Sequence, residues 1–165
     1  SDRKLIIDKN MKSFSEMTIA LASDHAGFAL KQKVQLFLED NGAKVKDFGC
    51  YSTESCDYPD FAHPLAEAVE KGEFEFGVVI CSTGNGICMT ANKPQGIRAA
   101  LCWETKLAEL ARQHNNANVL GLPANFISSV MALDIVRTFF QTDFEGGRHE
   151  RRVNKIALQI GRAHV

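Results

Sequence analysis

The sequence predicts a doubly wound α/β domain, with one parallel sheet of about five strands and helices on both faces. Three observations lead there. Short apolar runs alternate with segments of helical periodicity along the whole chain. One run, Phe76–Cys81 (FGVVIC), is almost continuously apolar, as a strand buried on both faces requires. The strand-like runs are separated by helical stretches, and parallel neighbours need such crossovers. With 165 residues, 45% of them hydrophobic, the chain suits a single compact domain with a sizeable core.

The elements follow in order. Thr18–Ser23 (TIALAS) reads as the first strand, ending at Asp24. Leu30, Val34, Phe37 and Leu38 then share one helical face, and Asn41-Gly42 supplies a stop because glycine tolerates the left-handed conformation. Ala43–Gly49 alternates like a strand, and a polar stretch follows in which Tyr58-Pro59 reads as a turn. A second helix is marked by Phe61, Leu65, Ala68 and Val69 and stopped by Gly72. After the Phe76–Cys81 strand, Ser82–Gly86 forms a glycine-containing turn and Ile87–Asn92 a short helix. Ile97–Cys102 reads as a strand, Glu104–Gln113 as a helix, Ala117–Leu122 as a strand and Phe126–Gln141 as a long amphipathic helix. A last helix after Gly146-Gly147 bears Val153, Ile156 and Ile160. Residues 1–16 lack a signal-peptide core and are read as an N-terminal extension, leaving 17–165 as the domain.

This alternation suggests a Rossmann-like sheet in the flavodoxin-like order 2-1-3-4-5, with its switch point between the first and third strands. Ligands bind outside the carboxyl ends of the strands at such a point. Asp24-His25 and Cys81–Gly86 sit at those two ends.

Composition removes several classes. A formal net charge of −1 argues against a general nucleic-acid binder. No apolar run is long enough to span a bilayer, so a cytoplasmic protein is the expectation. Five cysteines without a C-x-x-C spacing do not make a disulfide framework or a zinc ribbon. Two glycines without a third do not make a dinucleotide fingerprint, and neither a phosphate-binding G-x-x-x-x-G-K-[ST] nor an H-E-x-x-H occurs.

The loop Cys81-Ser82-Thr83-Gly84-Asn85-Gly86 is the most informative segment. Gly84 and Gly86 permit close backbone approach, and inward-turned N–H groups make an anion-binding concavity. A cysteine at its mouth is placed to act as a thiolate. Such a thiolate abstracts a proton α to a carbonyl while the amides hold the resulting enediolate. The alternative is a tight strand–helix turn with a buried cysteine. Asp24 either caps the first helix or binds a sugar hydroxyl, and His25 could reach a phosphate or hydroxyl. His114, beside Asn115, is either a solvated loop residue or a general acid/base. Arg148 and Arg152, four apart, share a helical face and form either a phosphate clamp or a solvated, salt-bridged helix start with Glu150.

Taken together, S-D-H-A-G-F (23–28), D-Y-P-D (57–60), C-S-T-G-N-G (81–86), A-N-K (91–93), G-I-R-A (96–99), R-Q-H-N-N-A-N-V-L (112–120) and E-G-G-R-H-E-R-R (145–152) resemble the type-B ribose-5-phosphate isomerase family. The related galactose-6-phosphate isomerase subunits share parts of these motifs. The likeness runs in order from about Thr18 to about Ile156. It implies reversible isomerisation of ribose 5-phosphate and ribulose 5-phosphate, a step of the pentose phosphate pathway, with Cys81 as the base at the sugar C2. By the same resemblance, Ser82, Thr83, Gly84, Asn85 and Gly86 form the enediolate-binding loop, with Thr83 also on the substrate. Asp24, His25 and Tyr58 contact or line the sugar site, His114 opens the ring, Asn115 is a substrate contact, and Arg148 and Arg152 clamp the phosphate. The family uses no metal or organic cofactor. It builds homodimers whose sites are shared, with His114 and Asn115 supplied by the partner chain; whether dimers pair into a tetramer stays open. Two positions depart from the common pattern: Ser82 stands where many relatives have glycine, and Asn125 where many have arginine. Isomerisation of allose or galactose 6-phosphate and a non-catalytic sugar-phosphate-binding module are the alternatives.

Overall fold

The computed structural model of the protein describes residues 12–158. Five strands, β1 (Thr18–Ser23), β2 (Lys44–Asp47), β3 (Phe76–Cys81), β4 (Ala99–Leu101) and β5 (Val119–Pro123), alternate with α1 (Phe28–Asp40), α2 (Tyr58–Glu70), α3 (Asn85–Ala91), α4 (Thr105–Asn115), α5 (Ser129–Gln141) and α6 (Arg148–Val153). All pairings are parallel. Side chains along each strand alternate between two apolar layers. Ile19, Leu21, Val78, Ile80, Leu120 and Leu122 pack with α1, α4 and α5, whereas Ala20, Ala22, Val79, Cys81 and Val119 pack with α2 and α3.

The doubly wound class is as expected, but the strand order is β2-β1-β3-β5-β4, so the last two strands exchange places relative to 2-1-3-4-5. Burial explains the exchange. β5 (VLGLP) is buried throughout and fills the interior position beside β3, whereas β4 has three half-buried residues and forms the edge. Gly121 of β5 permits this, because a Cβ there would lie 2.1 Å from the Cys88 sulfur on α3. The switch point between β1 and β3 is unaffected.

Smaller differences concern element ends. Tyr58 and Pro59 open α2 rather than forming a separate turn, since proline suits the first helical turn. The helix expected from Phe126 starts at Ser129, where the Ser128 hydroxyl accepts the Met131 N–H at 3.0 Å. His114 and Asn115 belong to the last turn of α4 rather than to a loop. The last helix ends at Val153, and Ile160 lies outside the described residues. Phe14, in the stretch read as an extension, is 1% exposed and packs edge-on against Phe37 and Phe140.

Lys31 is fully buried. Its ammonium donates to Asp47 Oδ1 at 2.8 Å and to the Cys50 carbonyl. Asp47 Oδ1 also accepts the Gly49 N–H at 2.8 Å, so the pair organises the turn beyond β2. Removing one partner of a buried pair strands the other charge. Asp47→Ala strands the fully buried ammonium and is expected to cost about 3 kcal/mol, and Lys31→Met less, because the Asp47 carboxylate it leaves is partly exposed and keeps the Gly49 N–H. Urea unfolding of both variants checks the order.

Candidate active site

The segments leaving β1 and β3 meet at the carboxyl edge of the sheet. Ser23 is in register with Ile80, and the Asp24 N–H donates to the Ile80 carbonyl at 3.3 Å, which sets Asp24 beside Cys81. Asp24 is buried, and its Oδ1 accepts the Gly27 N–H at 3.1 Å, closing the turn into α1. Asp24 is thus not the cap of α1, which is Gly27; its carboxylate closes the turn that precedes the helix. Gly27 is required at this crossing, since a Cβ would stand 2.5 Å from the Ile80 carbonyl oxygen. His25 Nδ1 accepts the Cys56 N–H at 3.2 Å, so in the neutral ring Nε2 bears the proton and is a donor.

Cys81 ends β3, and its sulfur accepts the Gly84 N–H at 3.2 Å. Gly84 adopts φ 76°, and a Cβ there would stand 2.3 Å from Leu101 Cδ1. The Asn85 N–H is turned onto Thr83 Oγ1 at 3.2 Å. The Tyr58 ring lies against Gly86, where a Cβ would meet its Cζ at 2.5 Å and its hydroxyl at 2.6 Å. Gly86→Ala is therefore expected to displace Tyr58 and lower kcat/KM by ~10-fold, since small misplacements at a reacting centre are costly. Steady-state kinetics beside a melting curve separates this from unfolding.

The other thiols are poor candidates for chemistry. Burial pushes Cys88 up to about 12, with the nearby Cys81 and Cys102 adding to the effect, and burial alone pushes Cys102 up to about 12. Cys56 is also raised, chiefly by burial and then by its contact with Cys50.

His114, Asn115, Arg148 and Arg152 form a second group at the opposite edge. α4 runs back from the carboxyl edge, so its last turn lies near the strand starts. The Asn116 carbonyl accepts from Arg98 Nε at 2.8 Å just before β4, and the Gly77 N–H donates to the Asn118 carbonyl at 3.0 Å where β3 begins. From Gly77 to Cys81 is four strand steps, roughly 13 Å. His114 of one chain therefore does not reach its own Cys81. α6 packs on this end of α4: His149 stacks on His114 with centroids 4.2 Å apart and 11° between planes, and Arg152 Nη1 donates to the Arg148 carbonyl at 3.2 Å. Glu145 Oε2 lies 3.8 Å from His149 Nε2.

Sequence reasoning missed this stack and the buried Lys31. The signal for Lys31 was its place on the stripe of Val34 and Leu38, three and seven residues before them. For His149 it was adjacency to Arg148 on a helix already assigned to the site. Burial, then His114 and Arg148, hold the His149 imidazole below its ordinary value. His114, Glu145 and His149 are also the one trio of metal-ligating side chains among the described residues, with ligand atoms within 4.8 Å of one another. Near-parallel rings do not converge their in-plane lone pairs on one ion, and Arg148 and Arg152 add positive charge beside them.

Two hollows accompany these groups. One of about 330 Å³ lies at the strand-start edge and is lined by Arg98, Asn115 and Ile156 among others. A smaller one of about 260 Å³ lies beside Thr83 and Asn85, walled by Leu101, Trp103, Pro123 and Phe126. The smaller adjoins the Cys81–Gly86 loop through Thr83 and Asn85. The two departures noted in the sequence touch each other: Asn125 Nδ2 donates to Ser82 Oγ at 2.6 Å. No helix among the described residues is long and apolar enough to cross a membrane.

A thiol facing a backbone amide lies at the switch point of a doubly wound sheet, the edge at which α/β proteins of this class bind small ligands. Comparison narrows the class. A family model described as Ribose/Galactose Isomerase matches residues 19–156, so the chain belongs to that family of isomerases. Ribose-5-phosphate isomerase B of Escherichia coli is 44% identical over 138 residues, covering 84% of this chain and 93% of that protein. The crystal structure of a ribose 5-phosphate isomerase from Thermotoga maritima is 50% identical with a TM-score of 0.84, over 86% of this chain and 98% of that one. A Mycoplasma genitalium ribose-5-phosphate isomerase B, solved with bound ribulose-5-phosphate, is 45% identical with a TM-score of 0.82, over 86% of this chain and 94% of that one.

Proposed function

We propose that this protein interconverts ribose 5-phosphate and ribulose 5-phosphate, with Cys81 as the base at C2. The observation that supports this most is the Gly84 N–H on the Cys81 sulfur, 3.2 Å away, at the β1–β3 switch point. The thiolate takes the C2 proton, the carbonyl oxygen at O1 gains a proton, and the loop amides hold the charge of the enediolate. The proton then returns at C1 as O2 gives up its own. Hydrogen moves from C2 to C1 and from O2 to O1, so no external oxidant or reductant is needed. Asp24, His25, Tyr58, Thr83 and the Ser82–Gly86 loop hold the sugar, the Gly84 and Asn85 amides exchanging their contacts with Cys81 Sγ and Thr83 Oγ1 for the substrate as it binds.

The site is completed by a second copy of the chain, in a cytoplasmic homodimer. The segments that leave the carboxyl ends of the strands, 24–27, 48–57, 82–84, 102–104 and 124–128, contain no lysine or arginine. A phosphate dianion bound there needs cations from elsewhere. Arg148 and Arg152 stand with His114 and Asn115 at the opposite edge, a ready-made complement for a partner's Cys81 face. Trp103, Phe126 and Val130, 55%, 72% and 73% exposed, offer the apolar area such a partner would cover. In this arrangement His114 opens the furanose ring, Asn115 touches the sugar and the arginine pair takes the phosphate.

Purified protein is expected to convert ribose 5-phosphate and, in heavy water, to introduce deuterium at the carbon that receives the proton. Binding without either would favour a non-catalytic module. A second substrate reading follows from Asn125, which adds no charge near the phosphate, and from a family description that spans ribose and galactose. Side-by-side turnover on ribose, allose and galactose 6- or 5-phosphates is expected to favour the five-carbon sugar.

A further inference from the structure

We propose that Asn125 is a positioning residue for the Cys81–Gly86 loop, acting through the hydroxyl of Ser82. Beyond the strand ends, β3 and β5 stay zipped: the Ala124 N–H donates to the Cys81 carbonyl at 2.9 Å and the Asn125 N–H to the Ser82 carbonyl at 3.1 Å. These backbone bonds place the Asn125 side chain opposite Ser82. Its amide then adds the one side-chain tether on that residue, Nδ2 to Ser82 Oγ at 2.6 Å. The rest of the loop is held by walls: Leu101 and Leu122 close on Gly84, and Tyr58 closes on Gly86.

Ser82 joins the sulfur to the amide that faces it. A hydroxyl has one hydrogen and two lone pairs, so accepting from Asn125 fixes its acceptor side and leaves the O–H to donate. Released from the Asn125 side chain, Ser82 keeps only its backbone bond to the Asn125 N–H, Thr83 is held only by its contact with the Asn85 N–H, and the 3.2 Å spacing of the Gly84 N–H to the sulfur loosens. The effect belongs to the chemical step, because Asn125 itself is exposed and outside the Asp24–His25–Tyr58 cluster.

The inference rests on Cys81 being the base, and the test keeps the two apart. Asn125→Ala and Ser82→Ala are each expected to lower kcat by ~10-fold with KM changed by no more than about twofold. The double variant is expected to match either single one, since both remove the same contact. Ser82→Thr, which keeps the hydroxyl, is expected to retain more activity than Ser82→Ala. In parallel, iodoacetamide labelling of the Cys81 peptide, followed by mass spectrometry without substrate, is expected to slow equally in both single variants and no further in the double. Multiplicative losses, a change in KM alone, or unaltered labelling in Asn125→Ala would overturn the positioning role. Full isomerase activity in Cys81→Ala, with the labelling in the other variants still coupled, would instead remove the assignment of the base and leave the loop contact standing.

Discussion

Cys81→Ala is expected to lower kcat by roughly 10³-fold on ribose 5-phosphate, because general-base removal at a carbon acid costs about 10²–10⁴. The side chain is 4% exposed and sits in the layer shared with α2 and α3, so alanine removes one sulfur and leaves a small cavity. Folding is therefore expected to survive, and circular dichroism beside the assay checks that it does. Cys81→Ser is the sharper variant. It keeps the hydrogen-bonding position opposite the Gly84 N–H, but a hydroxyl is a far weaker acid than a thiol, and its activity is expected to fall almost as far. The buried Cys88 and Cys102, both pushed up to about 12, cannot substitute. A Cys81→Ala protein that turns over at the wild-type rate would sink the proposed chemistry.

Mixing two inactive variants is expected to restore activity. Cys81→Ala lacks the base, and His114→Ala is expected to lose ~100-fold on the cyclic sugar because ring opening needs a proton shuttle. If each site takes Cys81 from one chain and His114 from the other, a mixed dimer has one intact site and one doubly damaged site. Random reassociation of equal amounts then makes half the dimers mixed, and about a quarter of wild-type specific activity returns. The physical basis is the separation of the two groups within one chain, roughly 13 Å along β3 alone. Were both groups to act in one protomer, mixing would restore nothing. The measurement is an activity assay after partial denaturation and joint refolding, with separately refolded variants as the baseline.

Much of the fold was legible because its causes are local. Apolar runs such as Phe76–Cys81 mark interior strands, and stripes such as Leu30, Val34 and Leu38 mark helix faces. The strand order was not legible in full, because alternation specifies crossovers but not which strand fills the slot beside β3. The three-residue β4 and the fully buried β5 settle that through burial. The Cys81–Gly86 loop was also readable, since glycine spacing and a cysteine at a strand end are chemical facts of the chain. The start of α2 at Tyr58 was hidden by a proline that reads equally as a turn or as a first helical turn.

Residue types and their spacing along the chain determined the doubly wound class and the switch point and singled out Cys81 and its glycine-containing loop as the candidate for the chemistry, because each depends on neighbours close in sequence. Only the tertiary structure decided that Lys31 is buried against Asp47, that His149 stacks on His114, that Asn125 grips Ser82, and that His114 and Arg148 stand at the far edge from Cys81. Those are contacts between segments distant in sequence, and their geometry follows from which strand lies beside which and from the direction in which each helix returns.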